Sequence, residues 1–347
     1  METSAPHTKR GILTPGRIAA ALAGLLFATV VVMFLVPSND FLLLPDTAHP
    51  VSPLVQVQGG REPGGPGGIY FVDVFERRAS LLEKYLPMSI LSWFHDGATR
   101  LPASDLIPPG ASDQAVQQAE AREMTTSQQV AAAVALRQLG MHVVAKPDGV
   151  TVAVIILGSH AAGALQPADV ITSINGTPTP TIAKLRQVLA KAKIGQVVTL
   201  GVERGSKKLD LHVKTVGENG RAIVGFVPDQ SAKITLPIRV AIDVGNVGGP
   251  SAGLAFALEV MEKLGRNVDR GYRVAATGQM ELNGAVTAIG GVKQKTFGAR
   301  EAKVDVFLVP AGDNARVAEK YADGIRVIPV KSFQQALHAL ATLPPKQ

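Results

Sequence analysis

The sequence predicts an α+β protein: an N-terminal transmembrane helix, then a small β-rich domain, then a C-terminal domain of mixed α/β structure. An uncharged apolar run occupies residues 18–36, and short β-rich runs with turn signals occupy 141–216. From about Gly245 onward, strands alternate with apolar-periodic helices. Because 46% of the 347 residues are hydrophobic, the chain has ample apolar surface for two or three domains.

The composition excludes several classes of protein. With no cysteine, the chain has no disulfide, no thiolate metal site and no cysteine nucleophile. Lysine and arginine number 35 against 28 acidic residues, a net charge of +7, without the basic runs and interleaved aromatics of nucleic-acid binders. The seven histidines are scattered and form no H-E-x-x-H motif. We therefore expect no nucleic-acid partner and no metal.

The N-terminal apolar run is predicted to cross a membrane. As a helix at about 1.5 Å per residue, residues 18–36 span roughly 28 Å, close to the thickness of a bilayer core. Lys9, Arg10 and Arg17 precede the run, whereas 37–50 carries only acidic charges, so the N-terminus is expected in the cytoplasm and the catalytic domain outside it. A cleaved signal peptide is the alternative, but the run exceeds the usual h-region and no small-x-small site follows it closely.

Residues 37–124 are predicted to form a membrane-proximal region with a β-hairpin and helices. Two apolar runs, 54–58 and 69–74, have the composition of strands, and the glycine-rich GGREPGGPGG linker between them permits a hairpin. Residues 77–94 are predicted to be helical. A long helix then begins, which Ser112 is expected to cap.

The next domain is assigned to residues 125–217, and within it the pattern changes to short strands at 141–216. A strand is followed by A-G-x-L-x-x-x-D-V-I from Ala162, I-N-G ending at Gly176, a helix, G-Q-x-V-x-L from Gly195 and a strand pair. This order resembles a PDZ domain, a class that binds an extended peptide as an added strand beside a helix. The resemblance implies a peptide ligand and a groove bordered by Leu139, Gly140, Met141, Ile182, Leu185 and Leu189. The alternative is that the apolar members only pack the core of the domain.

A glycine-rich turn, V-G-G-P-S-A-G, lies between an alternating strand and an apolar helix and contains Ser251. A serine at a helix start is ordinarily an N-cap. Gly248 and Gly249 allow a tight turn, Pro250 suits the first helical position, and the free N–H groups of a first turn can hold an oxyanion. Ser251 is therefore a candidate nucleophile, with Gly249 and Pro250 in the oxyanion-binding turn.

The same pentad, 249–253, fits G-x-S-x-G, the nucleophile elbow of α/β-hydrolases. His338 is the only histidine after Ser251, and it lies in a segment with the pattern of an amphipathic terminal helix. Neither an HGGG-type segment nor a run of β-α units precedes the serine. An esterase is thus an alternative for which the sequence shows neither a well-placed histidine nor the expected oxyanion segment.

A second motif follows the serine. Thr277 and Gly278 end a strand, a hairpin follows, and I-G-G-x-x-x-K ends at Lys295 in a new helix. This combination with G-P-S-A-G is similar to the proteolytic domain of the Lon family of serine proteases, here over 218–347. With the N-terminal span and the PDZ-like unit, the whole order resembles the bacterial membrane-anchored PDZ and Lon-like proteases. The resemblance implies that Ser251 is the nucleophile, that Lys295 is the base and that Thr277 orients the lysine amine.

Lys295 can act as a base only if it loses its proton near neutral pH. Its pKa must therefore be lowered from about 10.4 by burial in apolar surroundings. The apolar residues close to it in sequence permit this: Ile289, Val292, Phe297 and Ala299. Lys293, two residues away on the same helix, is expected to face the other side as a solvated surface lysine. Without the resemblance, Thr277 is equally an ordinary strand threonine.

Two positions depart from the ATP-dependent Lon enzymes: Gly248 stands where they commonly carry an acidic residue, and Gln279 where they carry glutamate. No G-x-x-x-x-G-K-[ST] phosphate loop occurs in the sequence. We expect an ATP-independent endopeptidase that needs no cofactor and cuts extended or unfolded polypeptide segments, which the PDZ domain presents or gates. The resemblance also implies a homo-oligomer, a hexamer. The rival hypothesis is a catalytically silent, membrane-tethered PDZ scaffold.

Overall fold

The computed structural model describes residues 15–107, 113–156, 158–245, 247–344 and 346. The helices are α1 (Pro15–Leu35), α2 (Leu81–Tyr85), α3 (Met88–Phe94), α4 (Ala103–Leu106), α5 (Asp113–Gln138), α6 (Ile182–Leu189), α7 (Gly253–Lys263), α8 (Val292–Glu301), α9 (Asp313–Tyr321) and α10 (Phe333–Ala341). The proposed cap Ser112 lies outside the described residues.

The strands are β1 (Pro37–Pro45), β2 (His49–Pro50), β3 (Val55–Val57), β4 (Gly68–Phe71), β5 (Val74–Ser80), β6 (Thr99–Pro102), β7 (Val144–Ile155), β8 (Val170–Ile174), β9 (Thr177–Pro178), β10 (Val197–Arg204), β11 (Lys207–Lys214), β12 (Val216–Glu218), β13 (Arg221–Ile223), β14 (Phe226–Thr235), β15 (Val240–Ile242), β16 (Arg273–Ala276), β17 (Gln279–Met280), β18 (Val286–Thr287), β19 (Val306–Pro310) and β20 (Arg326–Val330). The architecture is the mixed α+β arrangement that the sequence predicts.

The N-terminal helix α1 buries none of its residues and is long and apolar enough to cross a membrane. Only Val36 separates its end from β1. The Leu81 N–H donates to the Val36 carbonyl at 2.9 Å, so α2 begins beside the end of α1. The apolar helix is therefore joined to the folded region without a spacer.

A small antiparallel sheet, in the order β5-β1-β6, follows α1. Residues 77–94 were expected to be helical throughout, and this prediction is wrong for 77–80, which complete β5. These residues continue the pairing of β5 with β1, where Ala79 is buried with Leu42, and Ser80 then starts α2 with a capping box that includes Glu83.

The predicted hairpin of 54–58 and 69–74 is wrong. Strand β3 pairs with β15, whereas β4 lies inside a five-stranded sheet of order β2-β4-β16-β19-β20, in which β4, β16, β19 and β20 are parallel. Ile69 and Phe71 of β4 are both buried. An apolar strand inside a sheet needs partners on both sides. For β4 these are the nearby β2 and the distant β16, and neither is β3.

The β-rich region forms a sheet of order β11-β10-β8-β7-β14, with β9 beside β8 and α6 packed on it. The predicted strand pair is β10 and β11, which a tight turn at 205–206 joins. Arg204 also reaches Asp169, whose side chain is completely buried, with contacts of 2.6 and 2.8 Å. Strand β14 pairs with β7 along its length and closes the far edge.

The C-terminal core is built around α7, which is buried on all sides rather than along one face as the periodicity predicted. It packs against α5, β3 and β4. The short hairpin β17-β18, the helix α8 and the strand β19 ending at Pro310 follow in the predicted order. The amphipathic helix α10 ends the described fold.

Candidate active site

Ser251 lies in the turn that precedes α7. Gly249 has φ +81°, a conformation that favours glycine, and the helix begins only at Gly253. Pro250 therefore precedes the helix instead of occupying its first position, and Ser251 is not its N-cap. The serine hydroxyl is free of a structural capping role and takes part in a different contact.

That contact is with Lys295. In the first turn of α8, the Lys295 Nζ donates to the Ser251 Oγ at 2.7 Å, although the two residues are 44 positions apart. The lysine is only 5% exposed. Gly291 has φ +68° at the start of α8, and a Cβ there would lie 2.6 Å from Val74 Cγ2. Glycine at position 291 therefore allows α8 to pack close to β5, and this packing places Lys295 in contact with Ser251.

The end of β16 holds the serine backbone. The Ser251 carbonyl accepts hydrogen bonds from the Gly278 N–H at 2.8 Å and from the Thr277 Oγ1 at 3.1 Å. The Leu254 N–H donates back to the Gly278 carbonyl at 3.2 Å. Thr277 was expected to hold the lysine amine; in the structure its hydroxyl donates instead to the Ser251 carbonyl.

Burial lowers the pKa of Lys295 to about 8, because the ammonium loses its solvation. Two carboxylates oppose this effect: Asp73 and Glu76 raise the lysine pKa by stabilising the charged form. Burial raises the pKa of both carboxyls. Sequence reasoning missed these two residues, although acidic side chains beside a buried strand were a usable signal.

Asp73 also lies beside a second group of polar side chains. Ligand atoms of Asp46, His49 and Asp73 lie within 4.8 Å of one another and could hold a cation. His49 Nε2 is 3.6 Å from Asp46 Oδ2 and 3.9 Å from Asp73 Oδ1.

Neither competing base contacts Ser251. Lys293 is half-buried, donates to the Ala98 carbonyl at 2.9 Å and lies 5.7 Å from the Tyr321 ring centre. The expectation of a solvated lysine is therefore wrong, because this ammonium is held against α9 and the loop before β6. His338 is exposed on α10, and the serine hydroxyl is engaged by the lysine instead.

The long helix α5 supports the nucleophile turn, a role that the sequence did not indicate. The Gly249 N–H donates to the Glu120 carbonyl at 3.0 Å, and the Ser127 Oγ donates to the Pro250 carbonyl at 3.0 Å. A Cβ on Gly248 would lie 2.9 Å from Glu120 Cβ and 3.2 Å from its Oε2. The carboxylate of Glu120 thus lies beside the position where the related enzymes carry their own acidic residue.

Gly249 and Pro250, which were expected to bind an oxyanion, offer no unused N–H group. Gly249 already uses its N–H on Glu120, and Pro250 has no N–H to offer. The N–H groups of Ser251 and Ala252 donate to no other group among the described residues. They are the donors of this turn that remain for a developing oxyanion.

The structure does not bring the expected groove residues together. Leu139 and Met141 flank Gly140 at the end of α5 and pack against the C-terminal core, because that helix lies on α7. The three α6 residues pack in the core of the β-rich sheet: Ile182, Leu185 and Leu189. At the sheet edge, the side chain of Gln230 on β14 accepts from the Ile182 N–H at 3.3 Å and donates to the Gly149 carbonyl at 3.0 Å.

Two segments of the chain are similar to known protein families. Residues 226–342 match the Lon protease (S16) C-terminal proteolytic domain, and 138–215 match the PDZ domain. Lon protease 2 of Bacillus subtilis is 34% identical over 125 residues, which is 36% of this chain and 21% of that protein. The Lon protease of Chloroflexus aggregans is 37% identical over 125 residues, 35% of this chain and 15% of that protein.

Among solved structures, the PDZ domain of an SdrC-like protein from Listeria monocytogenes shares 24% identity. It covers 23% of this chain and 87% of that domain, with a TM-score of 0.23. The chain spans only 21% and 15% of the length of these two curated Lon relatives.

Proposed function

We propose that this chain, which joins a PDZ domain to the Lon (S16) proteolytic domain of a serine peptidase family, is an endopeptidase with a Ser251–Lys295 dyad. The observation that carries the proposal is the 2.7 Å contact between the Lys295 Nζ and the Ser251 Oγ at a buried site. Burial supplies the lowered lysine pKa that a base needs near neutral pH.

The reaction follows from this geometry. Neutral Lys295 takes the proton of the Ser251 hydroxyl while the Oγ attacks the scissile carbonyl of a bound peptide. The N–H groups of Ser251 and Ala252 stabilise the tetrahedral oxyanion. The lysine returns the proton to the leaving amine, and water then hydrolyses the acyl-enzyme by the reverse proton route.

The substrate is an extended or unfolded polypeptide segment, cut without ATP. The sequence carries no phosphate loop that would power unfolding, so the chain depends on segments that are already extended. The PDZ domain presents such segments or gates their access, since this class of domain binds peptides as added strands. The proposal also includes assembly of the chain into a homo-oligomer, a hexamer. The mass of the full chain in detergent tests this assembly.

The location of the enzyme is the cell membrane, with α1 as a single span, the N-terminus in the cytoplasm and the catalytic domain outside. Support comes from the apolar helix α1, which buries none of its residues, and from the basic residues that precede it. Protease added to intact cells should degrade the PDZ and proteolytic domains. Full protection of both domains would overturn this topology.

The test of the dyad is cleavage of casein by the full chain in detergent, without ATP. Ser251→Ala and Lys295→Ala should abolish cleavage, whereas Lys293→Met, which removes a nearby ammonium that is not the base, should keep it. Circular dichroism checks that each variant is folded. Equal activity in all variants would refute the dyad, and an inert wild type on several unfolded substrates would favour the silent scaffold.

A further inference from the structure

Four large apolar or aromatic side chains form an exposed surface on α2 and α3, here called the α3 patch: Tyr85, Ile90, Trp93 and Phe94. They are 70%, 42%, 86% and 71% exposed, respectively. Trp93 is the only tryptophan of the chain, and its ring centre lies 6.0 Å from that of Phe94. A contiguous exposed surface of this kind is typical of an interaction site.

Helix α3 also packs on the folded region, so its exposed side chains form a second apolar face. On α3, Leu91 points inward, is 2% exposed and packs with Leu42 and Ala79. Ile90, Trp93 and Phe94 are spaced i, i+3 and i+4, which places them together on the outer face. The helix is therefore apolar on both sides, with one side used by the fold and the other free among the described residues.

The patch lies close to the end of α1. Helix α2 starts at Leu81, whose N–H bonds the carbonyl of Val36, the residue between α1 and β1. At about 1.5 Å per helical residue and at most about 3.6 Å per extended residue, Trp93 lies within roughly 25 Å of that point along the chain. Because α1 joins β1 without a spacer, the patch stays at this short distance.

We infer that the α3 patch is a second membrane contact, which binds the boundary between headgroups and acyl chains of the bilayer that α1 enters. Tryptophan and tyrosine rings favour this boundary because they combine an apolar body with a polar edge. The hydrogen bond from Leu81 of α2 to Val36, at the end of α1, keeps the patch close to the proposed span, so we take the lipid surface as its occupant. The inference rests on the proposed membrane location of α1.

A second contact fixes the orientation of the enzyme on the membrane. Within β5, the segment from Glu76, whose carboxylate acts on Lys295, to Ser80 leads directly to α2. At about 3.3 Å per strand residue, this segment is roughly 13 Å long. The two attachments, α1 and the α3 patch, would therefore hold the catalytic site at a set height above the bilayer.

The single tryptophan provides the test. The full chain is reconstituted in phosphatidylcholine vesicles whose acyl chains carry bromine near the headgroup or near the chain end. Trp93 emission should shift to shorter wavelength, be quenched most strongly by the shallow bromines and resist aqueous iodide. The double variant Ile90→Ser and Phe94→Ser, which keeps Trp93, should lose most of the bromine quenching.

The matched control places the single tryptophan at a position away from the α3 patch. Trp93→Phe with Val197→Trp places the only tryptophan on an exposed position of β10 in the PDZ domain, where iodide should quench it and bromine should not. Iodide quenching of Trp93 without bromine quenching would overturn the inference. Protection of Trp93 from both quenchers would also overturn it, because a protein would then cover the patch.

Flotation of the vesicles after an alkaline carbonate wash separates this inference from the proposed location. A chain that floats but shows no bromine quenching at Trp93 has a membrane span without the second contact. A chain that does not float refutes the membrane location of α1, and the inference with it. Casein cleavage measured on the same samples reports on the dyad independently of both.

Discussion

The buried position of Lys295 predicts a defined pH dependence of cleavage. Only the neutral amine can accept the Ser251 proton, and burial lowers the lysine pKa from 10.5 to about 8. About a tenth of the enzyme then has a neutral lysine at pH 7 and about nine-tenths at pH 9. We expect kcat/KM for an unstructured fluorogenic peptide to rise about tenfold between these values and to level off above pH 9.

The site carboxylates provide a control for this prediction. Glu76 raises the pKa of Lys295, so Glu76→Gln should move the midpoint of the rate profile to lower pH. The assay is the initial rate at substrate concentrations well below KM, from about pH 6 to 10, where the profile reports free-enzyme ionisations. A rate that is constant through this range, or that still rises tenfold per pH unit above pH 9, would refute the lowered lysine pKa.

The same pKa shift also predicts how stability depends on pH. The folded pKa lies below the unfolded one, so the folded state binds fewer protons between about pH 8 and 10.5, and its stability rises with pH across that window. Below pH 8 the lysine is charged in both states. Keeping this charge buried then lowers the stability of the folded state by on the order of 3 kcal/mol for a shift of this size. Lys295→Met should therefore be inactive yet more stable than the wild type at pH 7 in urea unfolding. A less stable variant would contradict the burial penalty.

Three further substitutions test supporting contacts. Thr277→Val removes one of two donors to the nucleophile's carbonyl and should lower kcat about tenfold with little change in KM; an unchanged kcat would exclude a positioning role. Gly291→Ala forces a positive φ on a side chain without space and should cost about 1–2 kcal/mol by thermal unfolding, whereas Gly290→Ala, in open space, should not. Arg204→Met leaves the buried Asp169 without its cation and should destabilise the PDZ domain by about 3–5 kcal/mol in urea; a small effect would contradict this.

The residues of the dyad could be selected from the sequence because each belongs to a local motif. Ser251 lies between glycines before an apolar helix, and Lys295 follows a Gly-Gly pair in the first turn of the next long helix. The two motifs together resemble the Lon proteolytic domain, which is what selected the pair; the local pattern alone placed the helix start at Pro250, whereas α7 begins at Gly253. The structure then places the two side chains within hydrogen-bond distance.

The remainder of the site depends on contacts between distant segments. Strand β4 pairs with β16, which lies about 200 residues further along, and a glycine-rich linker beside β4 gave a false hairpin signal. Because β4 was assigned to the wrong partner, Asp73 could not be placed beside Lys295. The role of Glu120 was missed for the same reason, since the packing of α5 on α7 is set by tertiary contacts and not by local pattern.

Strand β14 has a consequence for how this protein is divided into modules. The strand completes the PDZ sheet through β7, yet it lies inside the 226–342 segment that matches the Lon proteolytic domain. A recombination breakpoint between 215 and 226 would separate the sheet from its last strand and leave the β7 edge open to aggregation. A natural or engineered exchange of either module must therefore keep β14 together with the PDZ domain.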